Sequence, residues 1–575
     1  MILLFVCLLI ASFTRAVCYE PSPAFPLPKY DSQHSLLKNA FGAIESALKA
    51  TIASSKYNIT SFSVEVTSSE DSLWSLHHTA RQRNASQHDV DKVDGDTLYR
   101  IASITKTFTV LGILYQHAAG NLSLDDPIDI YIEELKEKQK GTLPWKDITL
   151  RSLASQLSGI PREFVQSDVI NAIPSPWQYG FPPLPRDGLP NCNDYANDHP
   201  SCGKEDLLDS IKSKLPVFAP NQISTYSNVA FELLGLVIEK VTGESYASYI
   251  SRAIFEPLSM GRSSISKPPA SHGVIPIGEH SWDMEEGIES PTGGIYSSSS
   301  DMSKYLRYIL THYNGITHAT NWFHPGSPGG GMKSFYGMPW EIYRTDRILP
   351  DSKRPVNFIT KGGGLPGYMS NIILLPEYNL GITILVAGSN SLLEKIREVV
   401  TVELVRAAEK LATEQLRKRY EGTYISPDLD LNSSVTLVAD HRGLVVTSFI
   451  SNGTDVLAFG FPKLGILPTD KPWYAQLAPT LLYKDPKNQS GELWRLLPVA
   501  EPGDSEGIWD DLCHSNYDLP TYAGLPINEF VLWGEEGHQT DYLELTAFKV
   551  KLQRDDRSKD GSSEAQTPFE VYELK

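Results

Sequence analysis

Apolar residues recur along this chain at two different spacings, and the points where one spacing gives way to the other mark its elements. In SFSVEVTSSEDSLWSLHHTA, Ser61 to Ala80, two extended segments flank the polar turn Ser68 to Asp71, which predicts a hairpin. From Ser103 to Ala119 the period becomes helical, with Ile104, Phe108, Leu111 and Tyr115 on one stripe and Gly120 as the stop. Val229 to Thr242, halted by Gly243, predicts another helix, EKVTGESYASYISRAIF a further one, and Leu392 to about Arg419 a long one. YMSNIILLP and NLGITILVAG read as apolar strands joined by Glu377, Tyr378 and Asn379, close enough for an antiparallel hairpin.

Arg162 to Cys202 is rich in Pro, Gly, Asn and Asp and predicts a long ordered insertion without regular structure. From Tyr420 onward GTYISPDLD, SVTLVAD, GLVVTSFI, LWRLLPV and DYLELTAFKV are short extended segments between turns, while GILPTDKPWYAQLAPTLLY reads as less regular. These patterns predict an α+β fold: an antiparallel sheet flanked by helices with an inserted helical region over residues 19–415, then a β-rich barrel-like or sandwich-like domain over 421–575.

Composition narrows the function classes. With 575 residues, 41% of them hydrophobic, the chain has material for a sizeable core, which excludes a disordered or disulfide-only scaffold. A formal charge of -18 argues against nucleic acid as a partner. The apolar run Ile2 to Ile10, followed by the small-residue segment Thr14-Arg15-Ala16, predicts a signal peptide over residues 1–18 and a secreted protein. That run falls short of the roughly 20 residues a membrane span needs, so no stable span is expected. Loss of the leader removes Cys7 and leaves Cys18, Cys192, Cys202 and Cys513, with Cys192–Cys202 the natural local disulfide and Cys18–Cys513 the remaining pair. Acceptor sequons at Asn58, Asn84, Asn121, Asn432, Asn452 and Asn488 are glycosylation candidates that would lie on exposed surface.

Three motifs carry the candidate chemistry. Ser103-Ile104-Thr105-Lys106 sets a hydroxyl and an amine three residues apart on one helix face, where the amine can take or relay the hydroxyl proton. Tyr226-Ser227-Asn228 offers a phenol able to shuttle a proton between nucleophile and leaving group, and an amide able to hold a substrate or orient Lys106. Lys361-Gly362-Gly363-Gly364 combines a cation with small residues along a strand edge, where the Gly364 N–H can join the Ser103 N–H as an oxyanion hole. Taken singly each motif is weak, since Ser-x-x-Lys occurs on many solvated helices and a glycine run is most often a turn.

Together, in this order, they resemble the serine β-lactamase and penicillin-binding-protein superfamily, nearest its class C and esterase-like branch. The surrounding stretches LYRIASITKTFTVLGILYQHAAGNLSLDDPI, ITLRSLASQLSGIPRE, ESPTGGIYSSSSDMSKYLRYIL and GMPWEIYR carry the likeness over roughly residues 45–410. Residues 421–575 resemble the extra β-domain of fungal secreted members. The resemblance implies a β-lactamase/transpeptidase-like fold, Ser103 as acylated nucleophile, Lys106 as its activator, Tyr226 as general acid and base, and Asn228, Lys361, Gly363 and Gly364 around the substrate or oxyanion. It implies a serine hydrolase acting on a small ester, amide or lactam without a cofactor or metal, with esterase activity favoured. An acyltransferase or cyclase in natural-product assembly and a non-catalytic binding protein are the alternatives. Gly362 stands where lactam- and peptide-processing members carry a hydroxyl, while Lys361 still offers positive charge. The Arg162 to Cys202 insertion resembles a rim element over the pocket, with Trp177, Tyr179 and Phe181 as its apolar contacts, or equally a scaffold loop. Oligomeric state is left open.

Overall fold

The computed structural model describes residues 24–84, 88–136, 143–165, 168–172, 175–185, 192, 200–312, 322–466, 472–500, 517–535 and 537–555. The predicted leader, Cys18 and Cys513 lie outside them. The chain divides into two compact units, one of Lys29–Thr345 and Val356–Ala407, the other of the chain's start to Pro28, Asp346–Pro355 and Ala408 onward.

The first unit is built on an antiparallel sheet. Its strands are β1 (Ser61–Thr67), β2 (Ser72–His78), β3 (Ser327–Pro328), β4 (Ser334–Tyr336), β5 (Glu341–Thr345), β6 (Val356–Leu365), β7 (Tyr368–Leu375) and β8 (Leu380–Ala387). They lie in the order β2-β1-β8-β7-β6-β5-β4-β3, so the N-terminal hairpin pairs with the last strand of the unit. Both predicted hairpins are present. β1 and β8 are buried along their whole length; β8, LGITILVA, reads accordingly as an apolar run, whereas β1, SFSVEVT, alternates and buries its polar residues as well.

The longest helices among the described residues are α1 (Ser35–Ile52), which the sequence pattern did not predict, α2 (Thr105–Ala118), α3 (Val229–Thr242), α4 (Ser299–His312) and α5 (Ser391–Tyr420). Every residue of α2 from Thr105 to Leu114 is buried, so this helix is central rather than amphipathic. Phe108 stacks on Tyr305 of α4 with ring centroids 4.0 Å apart and meets Phe255 edge-on at 5.7 Å. Gly243 ends α3 in the left-handed conformation at φ 71°, as a helix-stop glycine should. Among the described residues of the insertion are the short helical turns Val169–Ala172 and Pro176–Tyr179, and a disulfide joins Cys192 to Cys202.

The second unit is a closed barrel. Strands β9 (Gly422–Ile425), β10 (Ser434–Asp440), β11 (Gly443–Ser451), β12 (Trp473–Asp485), β13 (Ser490–Ala500), β14 (Glu529–Trp533), β15 (Tyr542–Leu545) and β16 (Val550–Arg554) each pair antiparallel with the next, and β9 pairs with β16. β10 alternates half-buried and buried residues, the two-residue period of a strand whose faces look into and out of a barrel. From Trp473 the stretch that read as less regular belongs to the 13-residue strand β12. Pro479 lacks an N–H, the ladder to β13 slips between Pro479 and Leu482, and Leu481 sits at φ 59°, so the side-chain alternation breaks midway. β14, in EFVLW, was not anticipated. Among the described residues no helix is long and apolar enough to cross a membrane.

Of the sequon asparagines, Asn84, Asn121, Asn432, Asn452 and Asn488 are exposed, whereas Asn58 is half-buried at the end of the turn Ser55–Tyr57.

Candidate active site

Ser103 lies in a tight turn, Ala102–Ile104, that feeds directly into α2. Ala102 is held at φ 48°, a left-handed conformation that costs a non-glycine residue about 1–2 kcal/mol and is tolerated where the surroundings over-determine it. Those surroundings are visible: the Ile101 N–H donates to the Ile295 carbonyl at 3.1 Å, and Ser370 of β7 donates its hydroxyl to the Ile101 carbonyl at 2.8 Å. The turn thus presents Ser103 against strands β6 and β7 of the sheet.

Two donors converge on the Ser103 Oγ. The Lys106 Nζ donates at 3.2 Å and the Tyr226 OH at 2.8 Å. Lys106 is fully buried and also donates to the Thr292 carbonyl at 2.9 Å. Burial depresses its pKa; Tyr226 pulls the other way and Lys361 adds to the depression, leaving the amine below the usual lysine range. Tyr226 is reached by three cations around its ring: the Lys106 and Lys361 ammonium groups are each 5.2 Å from the centroid and the Arg162 guanidinium 4.7 Å. Burial pushes the phenol up, but the charges of Lys106 and Lys361 outweigh it and lower the pKa. A hydroxyl flanked by a lowered amine and a lowered phenol has two groups within reach that can take its proton.

The Tyr226 segment is clamped by the loop before it. The Ser227 N–H donates to the Gln156 side-chain oxygen at 2.7 Å, the Thr225 N–H to the Gln156 carbonyl at 2.8 Å, and the Ser227 hydroxyl to the Pro161 carbonyl at 2.7 Å. Asn228 is not on Lys106: its amide NH2 donates to Glu163 Oε1 at 2.7 Å, and Arg162 pairs with the same oxygen at 3.3 Å.

Lys361 and Gly363 come from β6. A Cβ on Gly363 would lie 2.3 Å from the Ile101 carbonyl oxygen, 2.5 Å from the Ser370 hydroxyl and 3.1 Å from the Ser103 N, so only glycine lets the strand close on the Ser103 turn. Gly364 follows it, opposite Met369 in the ladder. The positive charge that Lys361 offers is already engaged: its ammonium donates to Glu341 Oε1 at 2.6 Å and to the Gly362 carbonyl at 2.8 Å. Burial works against that ammonium, yet Glu341 and Tyr226 prevail and hold its pKa above the usual range. Trp177, Tyr179 and Phe181 are exposed at 58%, 68% and 47%.

A family model described as Beta-lactamase matches residues 43–402, well over half of the chain. The chain belongs to the beta-lactamase family. A second family model, described as Beta-lactamase-like-like, C-terminal domain, matches residues 412–556 of this beta-lactamase family member. Its relatives include the Probable hydrolase M10 of Phoma sp., 34% identical over 531 residues and covering 89% of this chain and 87% of that protein. The Probable hydrolase clz13 of Cochliobolus lunatus is 32% identical, over 90% of this chain and 88% of that one. A Beta-lactamase-like protein of Arthroderma benhamiae is 29% identical over 76% and 74%.

Four residues beside the site of this beta-lactamase family protein were not anticipated: Arg162, Glu163, Glu341 and, through its carbonyl, Thr292. All four sit inside the stretches that carry the family likeness, but no local pattern distinguishes them from surface polar residues. Among the described residues, one group of carboxylates has the proximity a cation needs: oxygens of Glu163, Glu232 and Glu289 lie within 4.8 Å of one another. Burial raises the Glu163 carboxyl pKa against the pull of Arg162 and Lys106.

Proposed function

We propose that the protein is a secreted serine hydrolase that forms an acyl-enzyme on Ser103 with a small-molecule ester, amide or lactam, and that esters are its preferred substrates. The single observation that carries this reading is the Ser103 Oγ held between Lys106 at 3.2 Å and Tyr226 at 2.8 Å. Tyr226, its phenolate favoured by the charges of Lys106 and Lys361, takes the Ser103 proton as the oxygen attacks the carbonyl, the Ser103 and Gly364 N–H groups receive the developing oxyanion, and Tyr226 passes that same proton to the leaving group. Water then releases the acyl group. The hydrolase names of the Phoma and Cochliobolus relatives support the same reaction class. Gly362 in place of a hydroxyl supports esters over carboxylate-bearing lactams. Secretion is supported by the apolar run Ile2 to Ile10 and by the Cys192–Cys202 disulfide, a bond that persists in oxidising compartments.

Intact-mass spectrometry after exposure to an alkyl p-nitrophenyl phosphonate tests the reaction. One adduct per chain is expected, mapped to Ser103 and lost in Ser103→Ala, together with turnover of p-nitrophenyl acetate and none of a chromogenic cephalosporin. An adduct that persists in Ser103→Ala, or the absence of any adduct with folded protein, would rule the reading out.

A further inference from the structure

Lys361 stands beside the reacting groups, its ammonium 5.2 Å from the Tyr226 ring centroid, where a free cation would draw in a substrate carboxylate. The structure leaves no such cation exposed at this position: the Lys361 side chain is 1% accessible and its ammonium is engaged by Glu341. Glu341 does more than neutralise it. While Oε1 accepts from the Lys361 Nζ at 2.6 Å, Oε2 accepts from the Gly362 N–H at 3.0 Å, so both oxygens of one carboxylate are used on the ammonium and the next amide of the strand. The β5–β6 ladder dictates this placement, because Glu341 begins β5 opposite Thr360, the residue before Lys361. The Glu341 side chain is 36% accessible, so a ligand approaching this edge meets a carboxylate rather than an ammonium.

We infer that Glu341 is a specificity-determining residue: it occupies the anion position formed by the Lys361 ammonium and the Gly362 N–H, and thereby selects uncharged or cationic acyl donors over those bearing a carboxylate. This inference rests on the acyl-enzyme reading above and narrows its substrate class. A carboxylate-bearing donor must either displace Glu341 from a well-bonded pair or lie against it as a like charge, and both oppose binding. Arg162 is the competing anchor, since its guanidinium lies over the Tyr226 ring and its side chain is 62% accessible, although Glu163 engages its Nε.

The test compares three aryl acetates of one shape: 4-acetoxybenzoate, its methyl ester and 4-(aminomethyl)phenyl acetate, each rate normalised to the donor's alkaline hydrolysis. In the wild-type protein kcat/KM for the methyl ester and for the amine is expected to exceed that for the carboxylate at least tenfold. Glu341→Gln, which keeps a hydrogen-bonding group without the charge, is expected to shrink the methyl ester to carboxylate ratio at least fivefold, and Glu341→Asp to retain most of it. Equal wild-type turnover of the carboxylate and its methyl ester overturns the inference, as does a ratio unchanged in a folded Glu341→Gln protein, or carboxylate turnover that Arg162→Gln abolishes. If the wild type turns over none of the three and Ser103 takes no phosphonate, the hydrolase reading fails by itself. Calorimetry of benzoate and methyl benzoate on Ser103→Ala then decides the inference: weaker benzoate binding supports it, and equal or tighter benzoate binding overturns it.

Discussion

A serine hydroxyl is a poor nucleophile until its proton has somewhere to go, and here two groups with lowered pKa values lie within hydrogen-bond reach of it. The charge of Lys361 contributes to both shifts. Lys361→Met therefore raises the pKa of Lys106 and Tyr226 together. Because the deprotonated form is the active base, the ascending limb of kcat/KM against pH is expected to move to higher pH, with a loss at neutral pH on the order of tenfold per unit of displacement. A pH-rate profile on p-nitrophenyl acetate measures it, and a limb that stays put or moves to lower pH contradicts the electrostatic account. Residue roles were partly legible in the linear text. Ser103, Lys106, Tyr226 and Lys361 stand out only through three motifs that are weak singly and that, in order and with their flanking stretches, resemble one superfamily. Glu341 and Arg162 gave no such signal: the first reaches Lys361 through strand pairing, and the second reaches Tyr226 through a loop clamp.

At the scale of elements, the position of Lys106 depends on how closely helices and turns approach each other. The turn Ser290–Gly293 brings its Thr292 carbonyl to the Lys106 ammonium, and it does so with Pro291 lying against α3 at Gly235, where a Cβ would come within 2.3 Å of the proline Cγ. Gly235→Ala is expected to push this turn away. Overpacking of this kind costs about 1–3 kcal/mol of stability, and phosphonylation of Ser103 should slow at the same time as Lys106 loses its carbonyl partner. Denaturant titration and the adduct-formation rate check the two effects, and an alanine variant with unchanged acylation would show that the carbonyl contact is dispensable. Helices α2 and α3 were readable from period and stop glycine. The strand β12 was not, because a bulge at Leu481 reverses the alternation on which strand reading depends.

At the scale of the whole molecule, the second unit achieves closure by pairing its first and last strands, Tyr424 with Arg554 and Ile425 with Gln553. Arg554 reinforces the seam by donating to the Tyr424 hydroxyl at 3.1 Å and to the Glu421 carbonyl. Truncation after Phe548 removes β16 and exposes two unpaired edges. Such a chain is expected to lose most of its soluble yield or to elute as aggregate in size-exclusion chromatography, and a monodisperse, thermally unaltered product would show that closure is not needed. The sequence alone determined helices α2, α3 and α5, the two hairpins and the class of both units, because each depends on the period of apolar residues or on turn spacings of a few positions, while helix α1 went unread. Tertiary structure decided that the C-terminal strands close into a barrel, that Asn228 engages Glu163, and that the Lys361 charge is answered by Glu341. Those outcomes depend on ladder register and loop packing between residues far apart in the chain, where a shift of one position would turn a side chain to the opposite face.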